Sequence, residues 1–130
     1  MPKTIRVLVV EDEPHIRTSL MNFLEDVGFD TLTSENAERT LEILNNTPVD
    51  VAVVDIRLPD MDGNSLMTKA HKIQPNIKFI IYTGSTVYEL TQSIKRLGVT
   101  SEDVFYKPIS DLNIIAAAIH RKMQLGGSSK

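Results

Sequence analysis

The sequence contains no cysteine, which excludes disulfide staples and thiolate metal sites and suits a reducing compartment. It also lacks an excess of positive charge. With 14 Lys and Arg against 17 Asp and Glu, a net charge of -3 offers no basic field for a phosphate backbone, so direct nucleic-acid binding is not expected. Long apolar runs are missing too. The longest, IIAAAI at 114–119, falls far short of the roughly 20 residues of a membrane span. The first apolar run ends in acidic residues too early for a signal-peptide core, giving a cytoplasmic expectation with no membrane contact. Neither G-x-x-x-x-G-K-[ST] nor G-x-G-x-x-G occurs, which argues against a nucleotide site, and no HExxH or other paired histidine spacing supports a zinc site. No internal repeat or low-complexity segment is present.

What is there is one domain's worth of chain. At 130 residues, a single core is expected over 1–125, with GGSSK at 126–130 as a flexible tail or the start of a linker. Two patterns alternate along it. Short unbroken apolar runs stand at IRVLVV (5–10), VAVV (51–54), IKFIIY (77–82) and VFY (104–106), with a more polar one at DTLTS (30–34). Such runs suit strands of a parallel sheet covered on both faces, the polar one at an edge.

Between them the apolar period becomes helical. A first helix follows Pro14 through Ile16, Leu20, Phe23, Leu24 and Val27 to Gly28, and a second carries Ala37, Leu41 and Leu44 behind Ser34 as N-cap. A third carries Leu66, Ala70 and Ile73 and stops before Pro75. A fourth carries Val87, Leu90, Ile94 and Leu97 up to Gly98, and a fifth carries Leu112, Ile115, Ile119 and Met123 with Ser110 as cap. Strict alternation with right-handed crossovers gives a doubly wound α/β fold. The expected layout is a five-stranded parallel sheet of the flavodoxin-like order 2-1-3-4-5, with a ligand crevice between strands 1 and 3.

The carboxyl ends of those strands are where the chemistry gathers. Strand 1 runs into Glu11, Asp12 and Glu13, strand 3 into Asp55, strand 4 into Thr83, and strand 5 into Lys107 and Pro108. Carboxylates meeting at one crevice repel one another and call for a cation; hard oxygen ligands without His or Cys favour Mg²⁺. Lys107 and Thr83 would add a fixed charge and a hydroxyl donor to hold phosphoryl oxygens. The set has no separate nucleophile other than Asp55, so it suggests an aspartyl-phosphate.

The motifs LVVEDE, VVDIRLPDMDG, IIYTG and YKP, in this order and spacing across residues 4–124, resemble those of response-regulator receiver domains of two-component signalling. That resemblance implies Asp55 as phosphoacceptor, and Mg²⁺ held by Glu11, Asp12, Asp55 and the backbone carbonyl of Arg57. It also implies Thr83 as a switch hydroxyl, Lys107 as the phosphate-contacting cation and a cis peptide before Pro108. Gly84 fits as the small residue that lets the phosphoryl group approach. Arg57 and Ser85 would influence how long that group survives, and Asp60 and Asp62 would lie on the loop outside the metal shell. The chain departs from the family pattern at Val104, where an aromatic reporter is usual, and in a longer approach from Gly98 to Lys107. Tyr106, on the side of the strand shared with Val104, is the candidate substitute.

Read singly, each residue has a plainer role: a helix-capping aspartate, an acidic first turn in which Glu13 complements the helix dipole, a β-forming threonine, a surface lysine. Asp60 and Asp62 suit turn chemistry better than a calcium loop, and His15, His71 and His120 suit the surface. Met21, Met61, Met67 and Met123 read as core fillers. Only the combination carries the functional reading.

The expectation is therefore a signalling domain and not an enzyme in its own right. It would accept a phosphoryl group from a histidine kinase or phosphotransfer protein and switch a surface at helix 4, strand 5 and helix 5 toward an output partner or domain. A receiver-shaped interaction module independent of phosphate, and a Mg²⁺-dependent aspartyl-phosphate phosphohydrolase, stay open beside it. Dimerisation through the fourth and fifth helices also stays open.

Overall fold

The computed structural model describes residues 4–85 and 87–127. The expected strands all form: β1 (Arg6–Val10), β2 (Asp30–Ser34), β3 (Val51–Val54), β4 (Lys78–Thr83) and β5 (Val104–Tyr106). They make one parallel sheet in the order β2-β1-β3-β4-β5, with the polar β2 at an edge. Among the described residues no helix is long and apolar enough to cross a membrane.

The period of two along each strand splits the core into two layers. Leu8, Val10, Ala52, Val54, Phe79 and Ile81 face one way, where α2 (Ala37–Asn46), α3 (Gly63–Ile73) and α4 (Gln92–Lys95) bring Leu44, Leu66, Met67, Ala70 and Ile94. Val7, Val9, Val51, Val53, Ile80 and Tyr82 face the other way, against Leu20 and Leu24 of α1 (Pro14–Asp26) and Ile115, Ala118 and Ile119 of α5 (Asn113–Gly127). Val104 packs with the first layer and Phe105 with the second, as alternation in β5 requires. Of the methionines, Met67 is fully buried while Met61 and Met123 pack at the margins of the core.

Helix boundaries follow the expected punctuation in part. Pro14 opens α1 behind Glu13, whose side chain accepts from the His15 N–H, so Glu13 is the N-cap itself. Gly28 and Gly98 follow helix ends with φ of +105° and +95°, a region that disfavours side chains. Two expected caps are corrected. Asn36, not Ser34, caps α2 by accepting from the Arg39 N–H; Ser34 is buried at the strand end, where its hydroxyl donates to the Asn36 carbonyl. At α5 the Asp111 carboxylate, not Ser110, accepts the Asn113 N–H at 3.0 Å.

The fourth helix is corrected more deeply. It spans only Gln92–Lys95, beginning behind Thr91, whose hydroxyl oxygen accepts from the Ile94 N–H. Val87 is 82% exposed and outside it. Upstream, non-helical bonds hold the chain: the Ser85 hydroxyl donates to the Val87 carbonyl at 3.1 Å, and the Tyr88 hydroxyl donates to Asn64 Oδ1 on α3 at 2.5 Å. At the far end α5 runs to Gly127, into the stretch expected as a tail, while 1–3 and 128–130 lie outside the described residues.

The longer approach to β5 also acquires an anchor. A 3₁₀ turn at Ser101–Asp103 buries Asp103, which accepts the Thr100 N–H at 2.8 Å, Lys122 Nζ at 2.8 Å and an Arg121 guanidinium nitrogen at 3.1 Å. Lys122 Nζ also donates to the Gly98 carbonyl at 2.7 Å. A buried carboxylate is tolerable here because each oxygen is satisfied and its charge is matched.

Candidate functional site

Backbone bonds that continue the sheet one step past its strands fix the functional rim. The N–H of Glu11 donates to the Ser34 carbonyl at 2.9 Å, that of Asp55 to Val10 at 3.0 Å, and that of Lys107 to Thr83 at 2.8 Å. Because β1 and β3 end in register at Val10 and Val54, opposite Ile81 of β4, which runs on to Thr83, residues far apart in sequence emerge on one rim. An apolar strand ends in a carboxylate here because burial of the strand aims it.

Glu11, Asp12 and Asp55 each place a carboxylate oxygen within 4.8 Å of the others. Glu11 and Asp55 are 3% and 6% exposed, whereas Asp12 faces solvent. Lys107 stands between the buried pair, its Nζ 2.5 Å from Glu11 Oε1 and 3.1 Å from Asp55 Oδ2, and 5.5 Å from the centre of the Tyr82 ring. The second oxygens are held by backbone: the Arg57 N–H donates to Asp55 Oδ1 and the Glu13 N–H to Glu11 Oε2, each at 3.1 Å.

Charge and burial oppose each other at this cluster. Burial pushes the Glu11 carboxyl up against the pull of the Lys107 bond. Burial alone would lower Lys107, but its bond to Glu11 and the charges of Glu11 and Asp55 outweigh it and raise the ammonium above its ordinary value. Lys107 is therefore a fixed cation at neutral pH. Three carboxylates meeting one ammonium leave an excess of negative charge, lined by oxygens alone. That donor set fits a hard divalent ion such as Mg²⁺ and offers nothing to a thiophilic metal.

Thr83 is fully buried, and its hydroxyl oxygen accepts the Ser85 N–H at 3.1 Å, tying it to the loop that precedes α4. At Gly84 an added Cβ would meet only Lys107 Cδ at 3.9 Å, so packing alone does not demand glycine there. Gly63 is the stricter position: a Cβ would lie 2.8 Å from Ile56 Cα, where the Gly63 N–H donates to the Ile56 carbonyl and closes the loop after Asp55. The Lys107–Pro108 peptide is cis. Tyr106 is 42% exposed, its hydroxyl 3.5 Å from the Tyr88 carbonyl.

Asp60 and Asp62 stand outside the carboxylate cluster and hold helix starts. Asp60 accepts the N–H groups of Ala37 and Glu38, both at 2.9 Å, and Asp62 accepts the Ser65 N–H, which lowers both carboxyls. The sequence reading missed Arg17. Its guanidinium donates to the backbone carbonyls of Glu11 at 2.8 Å and Asp12 at 3.3 Å. The only available signal was a cation in the first turn of a helix, the end where cations are disfavoured.

A family model described as the response regulator receiver domain matches residues 7–119. Among curated proteins, the chain is 28% identical over 120 residues to Sporulation initiation phosphotransferase F of Bacillus subtilis, covering 92% of this chain and 94% of that one. It is 32% identical over 114 residues to Cyclic di-GMP phosphodiesterase of Thermotoga maritima, covering 87% of this chain but 29% of that protein. Among solved structures it is similar to a CheY-like response regulator receiver domain protein from Methanospirillum hungatei JF-1. The TM-score is 0.86 and the identity 29%, over 98% of this chain and 100% of that one. The chain thus spans nearly all of one relative and under a third of another.

Proposed function

Because the chain belongs to the response regulator receiver domain family, we propose that it accepts a phosphoryl group on Asp55 and signals through the surface that this group rearranges. The observation that carries the reading is Lys107 Nζ lodged between Glu11 and Asp55, with Asp12 completing a compact acidic cluster. The donor is a histidine kinase or a phosphotransfer protein. A carboxylate oxygen of Asp55 forms the new P–O bond as the donor's P–N bond breaks and the imidazole leaves.

Glu11, Asp12, Asp55 and the Arg57 carbonyl would hold Mg²⁺, which would supply positive charge to offset the carboxylates and the phosphoryl oxygens. Lys107 is already in contact with the acceptor and transfers its bond from carboxylate to phosphoryl oxygen. Thr83 donates its hydroxyl hydrogen to the same group. Since its oxygen is bonded to Ser85, that movement draws on the segment before α4. A phosphohydrolase is less well supported, because the residue two positions beyond Asp55 is Arg57 where such an enzyme needs a carboxylic acid.

The test is incubation with a small phosphodonor, with and without Mg²⁺, followed by intact mass. One metal-dependent phosphate adduct is expected on the wild type and none on Asp55→Asn. An adduct that survives in the variant moves the acceptor elsewhere.

A further inference from the structure

Two of the three clustered carboxylates sit on the turn between β1 and α1, and they are held unequally. Glu11 is gripped through its side chain by Lys107 and by the Glu13 N–H. The Asp12 carboxylate makes no hydrogen bond or ion pair among the described residues, so its direction is set by its backbone alone. Beside the bonds of the Glu11 N–H to Ser34 and of the Glu13 N–H to Glu11, that backbone is held by Arg17, one guanidinium nitrogen of which reaches both the Glu11 and the Asp12 carbonyl. Arg17 makes no ion pair among the described residues, although acidic groups surround the turn. It also stands in the first turn of α1, the positive end of the helix, so its charge gains nothing from the dipole. With no carboxylate paired to it and the helix dipole against it, the guanidinium acts here through its donors, and charge-assisted bonds to carbonyls are strong ones.

We propose that Arg17 is a positioning residue for divalent-cation binding: it clamps the turn so that Asp12 faces Glu11 and Asp55. This rests on the reading that the cluster takes Mg²⁺.

A positive charge beside the site repels a metal ion, so electrostatics alone make removal of Arg17 tighten binding, whereas loss of positioning loosens it. Titration calorimetry with MgCl₂ on wild type, Arg17→Met and Arg17→Lys separates the two. Asp60→Ala is included as a variant destabilised away from the cluster, and circular dichroism establishes that each is folded at the assay temperature.

Arg17→Met is expected to bind Mg²⁺ about tenfold more weakly, the size of effect seen when the groups that orient a metal's ligands are removed. Arg17→Lys, with the same charge and no planar fork, is expected to fall between it and wild type, and Asp60→Ala to match wild type. Equal or tighter binding by Arg17→Met overturns the proposal while leaving the metal reading intact. Should Arg17→Met melt below the assay temperature, an Arg17→Lys affinity equal to wild type overturns it in the same way. A wild type that takes up no Mg²⁺ ends both.

Discussion

Asp12→Asn should make the protein more stable and remove its response to magnesium. The Asp12 carboxylate lies within 4.8 Å of both Glu11 and Asp55 oxygens, and the cluster holds one ammonium for three carboxylates. Two unit charges at that spacing repel by about 0.9 kcal/mol in water and about 3.5 kcal/mol at an effective dielectric of 20. Asp12 repels two neighbours and is attracted by Lys107, so the net term is close to one repulsion. Its exposure argues for the lower figure, about 1 kcal/mol. For a chain of this size that is a rise in Tm of about 3–5 °C.

The assay is thermal unfolding of both proteins in EDTA at low salt, then with Mg²⁺. In EDTA the variant should melt higher, and the gap should shrink at high ionic strength. At a Mg²⁺ concentration a hundred times its Kd, wild type should gain about 2.7 kcal/mol and overtake a variant that does not respond. A variant that melts lower than wild type in EDTA, or that gains as much from Mg²⁺, refutes the reasoning.

Two further outcomes follow from the buried and capping carboxylates. Asp103→Ala leaves the buried Lys122 ammonium with the Gly98 carbonyl but without its counter-charge and frees the Thr100 N–H, and should cost about 3 kcal/mol in urea unfolding; a loss under 1 kcal/mol would mean that the network is not holding the β5 approach. Asp60→Ala should cost about 1 kcal/mol at neutral pH by freeing two N–H groups of α2. Since the folded state lowers the Asp60 carboxyl from 3.8, its contribution is present above that value and lost as pH falls through the folded one. Urea curves at pH 7 and pH 3 should show the gap between wild type and variant narrowing at the lower pH, and a gap that widens there would contradict the assignment.

The strands were legible because full burial leaves an unmistakable mark: VAVV and the FIIY of IKFIIY are unbroken apolar runs buried along their length, and the polar DTLTS could only be an edge. The rim followed from the fold, since a parallel sheet delivers every strand end to one side. The fourth helix was overread because Val87, Leu90, Ile94 and Leu97 keep helical spacing, while the bonds that hold the chain out of a helix before Thr91 come from Ser85 and from Asn64 on α3. Caps were misplaced by a residue or two, because Ser34, Asn36, Ser110 and Asp111 are all competent and tertiary packing chooses among them. Arg17 escaped notice since its partners are carbonyls, which every residue has and no sequence displays.

Lys122 joins the carbonyl of Gly98, which closes the α4 segment, to the carboxylate that starts β5. A single rivet on α5 thus passes through the neighbouring connection, and sliding the helix past it means breaking two enclosed bonds at once. The segment before Thr91 is tied to α3 instead, through the Tyr88 hydroxyl on Asn64, while Val87 beside it lies in water.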